Sequence, residues 1–448
     1  MSQRSLYWFT NDLRVSDNPL LLQAAQQSVE LTCCYVVAPL TQTEQRFQVV
    51  ANEGGAKERF LLQSLSDVDA SLQQRGQSLH IKAGKRFSVL SEWLELTQAT
   101  HLYLSDSVDY AILATLARLR QRYPHLVIVT SNTHRLFEIS QLPFELAQLP
   151  TTFSAFRKQI EALGLPTCLA SYHSADKLTF MPASKVVESC SYFTQRWQRL
   201  ETKQIPDTGF HGGESSALRH LKHYFSGDAA LSYKSTRNAL DDWQASTKFS
   251  PWLANGSLSV QRLLLTLKHY EVERGANEST YWIYFELLWR EYFQWYALKH
   301  GSKLFQFAGI KGQKPLTSYY PQRMRSWING TTPYPIVNAA MKQLKATGYI
   351  SNRARQLVAS CFVHELSLDW RYGAQYFQSQ LIDFDVASNW GNWQYLAGVG
   401  ADPRGHRQFD LAKQSQLYDA DQAFTHRWQG QTGCLLMDSL DMVDWPVE

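Results

Sequence analysis

From Ser5 to about Ile139 the chain alternates short apolar runs with stretches in which apolar residues recur at helical spacing. The runs S-L-Y-W-F, L-T-C-C-Y-V-V, L-H-I-K, H-L-Y-L and L-V-I-V-T read as strands apolar on both faces. Between them helical spacing is clearest from Lys57 to Arg75 and from Tyr110 to Tyr123. Strands and helices in alternation predict a doubly wound parallel sheet, an α/β domain over residues 1–138. From 139 to 195 the pattern degrades, with prolines at 143, 150, 166 and 182, as expected of a connector crossing the surface. From Arg196 to Trp428 strand-like alternation almost vanishes, which predicts an all-α domain over 196–428. The last stretch, 429–448, ends in the acidic M-D-S-L-D-M-V-D-W-P-V-E and reads as a partly mobile tail.

A chain of 448 residues is too long for one ordinary core, which agrees with two domains. With 44% hydrophobic and 19% charged residues it is globular rather than disordered. Fourteen tryptophans exceed what core filling asks, so some line a cavity or do chemistry. A net charge of +4 permits an anionic partner without requiring one. The six cysteines, at 33, 34, 168, 190, 361 and 434, show no zinc-like spacing and read as reduced core thiols. No apolar run reaches membrane-spanning length and the first residues lack a signal-peptide core, so the expected location is the cytoplasm.

One stretch resists assignment to ordinary structure. D-F-D-V-A-S-N-W-G-N-W-Q-Y, from Asp383 to Tyr395, holds two carboxylates, two short amides, four aromatics and a lone glycine, suits neither an amphipathic helix nor a strand, and reads as a site. Upstream, Ser351 caps a helical pattern from Asn352 in which Arg355 falls on the side of Val358, Ala359 and Phe362. A guanidinium on an apolar face needs a carboxylate, and Asp383 and Asp385 are the nearest downstream. In A-S-T-K-F-S-P-W-L-A-N-G-S-L-S, from Ala245 to Ser259, Ser246, Thr247, Lys248 and Ser250 gather before Pro251 at a helix start, a weak phosphate-site signal. No G-x-G-x-x-G follows the first strand, so dinucleotide binding in the Rossmann manner is not supported. In the helix from 281 to 296, Glu286, Trp289, Arg290 and Phe293 lie near one another at three- and four-residue spacing. A carboxyl beside a planar ring can hydrogen-bond the edge of a base and stack on its face.

The segments F-T-N-D-L-R-V-S-D-N-P-L-L, S-T-K-F-S-P-W-L-A-N-G-S-L-S, Y-P-I-V-N-A-A-M, S-N-R-A-R-Q, L-D-W-R-Y-G-A and S-N-W-G-N-W-Q-Y closely resemble the photolyase and cryptochrome family. G-N-W-Q-Y-x-A-G-V-G is most similar to its cryptochrome DASH branch, and T-T-F-S-A-F-R-K-Q-I-E in the connector resembles a further feature of that branch. The resemblance implies FAD in the helical domain and an antenna chromophore on the α/β domain, a folate of the methenyltetrahydrofolate type being the candidate. It places Tyr233, Ser246, Thr247, Lys248, Phe249 and Ser250 on the flavin, together with Phe384 and Asp385. It pairs Arg355 with Asp383 and sets Asn389 at flavin N5, an uncharged amide that suits a flavin stable when fully reduced. By the same likeness Glu286 and Trp289 contact a cyclobutane pyrimidine dimer, and Arg237, Arg290, Phe293, Asn352 and Arg353 face DNA. Tyr395 stands where duplex-active relatives carry a second tryptophan, which sandwiches the dimer with the residue at Trp289. Trp393 and Trp370 match the first two members of the family's tryptophan chain, whereas the outer position holds Thr317, with Tyr319, Tyr320 or Trp327 as substitutes.

The implied activity is repair of pyrimidine dimers under blue or near-ultraviolet light by electron transfer from reduced FAD, chiefly in single-stranded or looped DNA. The alternative is a DASH-type blue-light photoreceptor that binds DNA or RNA and repairs weakly. The expected protein is a monomer that needs neither metal nor membrane.

Overall fold

The computed structural model describes residues 3–51, 53–164, 182, 195–198, 200, 207–402 and 407–436. Most of the connector after 164, Cys168, Cys190 and the acidic residues from 437 onward lie outside these.

Five parallel strands, β1 (Arg4–Phe9), β2 (Glu30–Val37), β3 (Leu79–Ala83), β4 (His101–Ser105) and β5 (Val127–Ser131), form one sheet in the order β3-β2-β1-β4-β5. Side chains alternate across it, so the adjacent Cys33 and Cys34 enter cores on opposite faces. One face is covered by helices Pro19–Gln27 and Gly55–Gln73, the other by Arg86–Thr97 and Tyr110–Arg122. This is the doubly wound arrangement that the unbroken apolar runs imply. The last strand departs from the pattern: β5 pairs only with β4 and leaves Val127 48% exposed, as an edge strand does. Cys434 also differs from expectation, since it is exposed rather than in a core.

Strand order reverses between β1 and β4, the switch point where such sheets usually hold ligands at their carboxyl ends. Here that edge is used as a joint to the helical domain. The buried Arg14 guanidinium donates to the carbonyls of Asp17, Thr133 and Gly256 at 2.8–3.1 Å, and Leu13 N donates to Asn255 O at 3.0 Å. Gly256 has φ +74° and sits so close that a Cβ would lie 1.9 Å from the Asn11 carbonyl oxygen. From the other side, the buried Glu291 carboxylate accepts from the backbone N–H groups of Leu136 and Phe137. The T-N-D-L-R turn that replaces a glycine-rich loop thus holds the domains together.

The helical domain has one large core at whose centre runs the helix Glu278–His300. Against it pack Ala229–Thr236, Val260–Arg274 and Val386–Leu396, while Trp370–Gln380 packs on the last of these. The 386–396 stretch is therefore a helix after all. It hides from an amphipathic reading because it has no continuous polar face: Ala387, Asn389, Trp390, Gly391, Trp393, Gln394 and Leu396 are all buried. The helix from Asn352 likewise ends earlier than its spacing suggests, at Ser360, and passes into a π-helical turn over Cys361–Glu365.

Candidate active site

Four segments converge in the helical domain: 245–255, the helix Glu278–His300, the helix Asn352–Ser360 and the stretch 383–396. Their meeting point is the Asp383 carboxylate. Its Oδ2 accepts from Arg355 Nη2 at 2.7 Å and from Ser250 Oγ at 2.6 Å, while Arg355 Nε donates to the Ile350 carbonyl at 3.0 Å. Burial pulls the Arg355 pKa down, but the charge and hydrogen bond of Asp383 together with Tyr349 outweigh it and the net shift is upward, so the guanidinium stays charged. Arg355 therefore pairs with Asp383 rather than Asp385. Asp385 caps the helix Val386–Leu396 through Ser388 N at 2.7 Å and accepts from Gln294 Nε2 with both oxygens.

Two groups in this region lack a protein partner. Asp383 Oδ1 is buried with no donor among the described residues. Lys248 is 7% exposed, has φ +55°, and presents its ammonium 5.3 Å from the Tyr349 ring, with no carboxylate paired to it among the described residues. A buried acceptor and a buried cation left open in one domain fit a ligand with a polar ring edge and an anionic part, as FAD has. Thr247 O accepts from His220 Nε2 at 2.8 Å, and Phe249 is buried beside that imidazole at 5.1 Å. Ser246 and Thr247 are half-buried. The helix they precede, Ser250–Asn255, has six residues, so Lys248 rather than a long helix dipole dominates the local charge. Asn389 is fixed by its Nδ2, which donates to the Ala374 carbonyl at 3.0 Å, and Phe384 lies 5.2 Å under the Lys57 ammonium. Tyr233 is buried, and that burial, with Glu286 nearby, pushes its pKa up and keeps it neutral.

Along the helix Glu278–His300 a second cluster forms. Glu286 is ion-paired with Arg237, whose guanidinium also lies 5.1 Å from the Trp282 ring. Burial raises the Glu286 pKa, and Arg237 opposes the shift. The Trp289 and Tyr395 rings stand 6.0 Å apart at 80°. They make a corner, not the parallel walls of a sandwich. Arg353 reaches Asn238 at 3.2 Å and lies over Tyr418 at 4.7 Å, and Asn352 is exposed beside it.

Two residues expected to face DNA are placed otherwise. Arg290 donates to the carbonyls of His134 at 2.7 Å and Leu253 at 3.2 Å, with Asp385 among the charges acting on it, so this half-buried cation joins the domains. Phe293 is 2% exposed and lies beside Trp289 at 5.6 Å and 28°. It also accounts for the lone glycine of the motif: a Cβ on Gly391 would lie 2.4 Å from the Phe293 ring.

The rim of the six-membered ring of Trp393 abuts the backbone at Gly373, one turn along from Trp370, and Trp393 lies 6.3 Å from Trp327. Trp370 is fully buried, donates from Nε1 to the Phe307 carbonyl at 3.1 Å, and meets Trp390 at 5.7 Å. Of the three substitutes for an outer tryptophan, Trp327 is fully buried and offers no surface terminus, whereas Tyr319 is 42% exposed and lies 4.5 Å from Tyr372. The sequence reading overlooked Arg407, which lies over the Tyr395 ring at 4.4 Å and is held by Asp402 at 2.5 Å. It also gave no role to Gln294 or Trp390, since neither stands in a recognisable spacing.

An α/β sheet domain joined through its carboxyl edge to a helical body with such a cluster is the architecture of the photolyase-type flavoproteins. The DNA photolyase model matches residues 5–173, and the FAD binding domain of DNA photolyase matches residues 282–433. The chain is 51% identical to the cryptochrome DASH of Idiomarina loihiensis, across 99% of this chain and 96% of that one. It is 49% identical to that of Vibrio parahaemolyticus, across 99% and 97%. Among solved structures, a cryptochrome of Synechocystis sp. superposes with a TM-score of 0.83 at 34% identity, covering 96% of this chain and 89% of the other. A bacterial class III photolyase from Agrobacterium tumefaciens gives 0.77 at 26%, covering 96% and 86%. The chain belongs to the photolyase and cryptochrome family, in its cryptochrome DASH branch. No helix among the described residues is long and apolar enough to cross a membrane.

Proposed function

We propose that this protein splits cyclobutane pyrimidine dimers in a light-dependent reaction, chiefly in single-stranded or looped DNA. The observation that carries the reading is the corner of Trp289 and Tyr395 with Glu286 on the same helix as Trp289. The two rings of a dimer are joined and inclined to each other, so a perpendicular pair of aromatic walls can meet both faces. Glu286, pushed toward its neutral form by burial, supplies a hydrogen bond to the base edge once Arg237 turns to a phosphate. Arg353 and Arg407, each stacked on a ring, hold the backbone on either side.

On this reading Tyr233, Ser246, Thr247, Lys248, Phe249 and Ser250 bind FAD from one side, and Arg355, Asp383, Phe384, Asp385 and Asn389 bind it from the other. Bound and reduced, FAD supplies the light-driven electron. With FAD bound, Lys248 would neutralise the pyrophosphate and Asp383 Oδ1 would accept from the ring edge, with Arg290 at the domain joint nearby. Trp393 and Trp370 restore the reduced state, with Tyr319 and Tyr372 as the surface end in place of Thr317. A folate on the α/β domain serves as antenna. The protein acts as a monomer in the cytoplasm.

Strand preference follows from Tyr395. Taking a dimer out of a duplex costs a few kcal/mol of unstacking and unpairing, and least when the strand is already single. Stacking on an aromatic returns only about 1 to 3 kcal/mol per base, so a phenol in place of an indole narrows the margin in duplex. The expected result is light-dependent repair of one dimer-bearing oligonucleotide alone and in a loop, with much slower repair in a perfect duplex at matched salt. Equal rates on duplex and single strand would sink the strand preference.

A further inference from the structure

The T-T-F-S-A-F stretch has no part in the function described so far, yet it makes the tightest ring contact in the site. Phe153 opens the helix Phe153–Glu161, capped by Thr152, and its ring is stacked on Trp289 at 3.8 Å and 13°. Phe153 is itself 5% exposed, with Phe285 and Tyr292 against it at steep angles, 5.1 and 6.0 Å away. On the helix Glu278–His300, Phe285 and Tyr292 flank Trp289 on the side away from Glu286. Phe153 therefore covers one face of the indole, and a stacking ligand would use the opposite face, on the side of Glu286, beside the offset Phe293 ring.

The backing is anchored at both ends. Lys299 Nζ donates to Leu149 O at 3.1 Å and the Tyr292 hydroxyl to Thr151 O at 2.9 Å, just before the helix. At its far end the Tyr281 hydroxyl donates to Glu161 at 2.6 Å. A ring held between such anchors fixes the plane of the indole it stacks on before any ligand arrives.

We propose that Phe153 is a positioning residue of the substrate site: it holds Trp289 in the plane on which a pyrimidine dimer stacks. This rests on the reading of Trp289 as a stacking wall. A half-buried indole without backing would sample several rotamers, and binding would have to order it. With Phe153 behind it, that ordering is done by the fold.

The test is a double-mutant cycle on the full, flavin-loaded chain in the dark. The quantity read is the Kd for a single-stranded oligonucleotide carrying one thymine dimer, relative to the undamaged strand. Phe153→Ala and the volume-keeping Phe153→Leu should each weaken dimer binding about five-fold, the effect of losing one aromatic pair. Phe153→Tyr keeps the stack and should bind like the parent. In a Trp289→Ala background, Phe153→Leu should cause no further loss, which a merely structural role for Phe153 would not produce. Equal loss in both backgrounds, or none in either, overturns the positioning role while leaving the Trp289 wall in place. Parent-like dimer binding by Trp289→Ala removes the wall itself, and the proposal with it.

Discussion

Asp383→Ala is expected to purify without bound flavin and to be destabilised by roughly 3 kcal/mol, near the lower end of what removing one member of a buried ion pair costs. The lower end applies because the Arg355 side chain keeps 24% of its surface exposed while that of Asp383 keeps 3%. Asp383 Oδ2 is shared by Arg355 and Ser250, so alanine takes the acceptor from both at once. Among the described residues Arg355 would keep the Ile350 carbonyl and the Tyr349 ring, leaving a guanidinium at an apolar helix face with no carboxylate against it. The open Oδ1, proposed to meet the flavin ring edge, disappears with it. Absorption of the purified variant and chemical denaturation measure the two effects separately. Full flavin content at parental stability would refute the placement.

Trp393→Phe should slow light-driven reduction of the bound flavin by on the order of tenfold or more, with folding intact. The ring sits among Phe362, Phe377 and Trp327 at 5.2–6.3 Å, so a phenyl fills most of the space and the cavity cost is modest. What is lost is the easily oxidised indole. Protein reduced chemically beforehand should still repair, because Trp393 is not among the residues proposed to touch the dimer. Transient absorption of the variant against the parent reads the rate, and an unchanged rate would show that electrons enter by another path.

Much of the architecture is legible in the chain because single interactions dominate locally. The three inner runs of the sheet, β2, β1 and β4, announce themselves by being apolar on both faces, and Arg355 announces a carboxylate by standing on an apolar helix face. Asp383 rather than Asp385 becomes its partner because Asp385 is committed as a helix cap and to Gln294. The 386–396 helix is not legible from periodicity, since a helix buried nearly all round has no polar stripe to reveal its period. Arg290 misleads for a related reason. Its four-residue spacing from Glu286 suggests one shared surface, but its partners are backbone carbonyls at His134 and Leu253, far away in the chain. Side chains that bond to distant backbone leave no pattern in their own neighbourhood. Phe153 is hidden in the same way, because only the folded chain brings the connector against Trp289.

The Trp289 and Tyr395 corner is proposed as a dimer-splitting site. Its most direct test is the recovery of thymine absorbance when chemically reduced, flavin-loaded protein is illuminated with a single-stranded oligonucleotide containing one thymine dimer. Light-dependent recovery over many turnovers is expected in the parent, and its loss in Trp289→Ala with flavin content unchanged. No recovery by a parent protein carrying fully reduced flavin would contradict it and favour a photoreceptor instead.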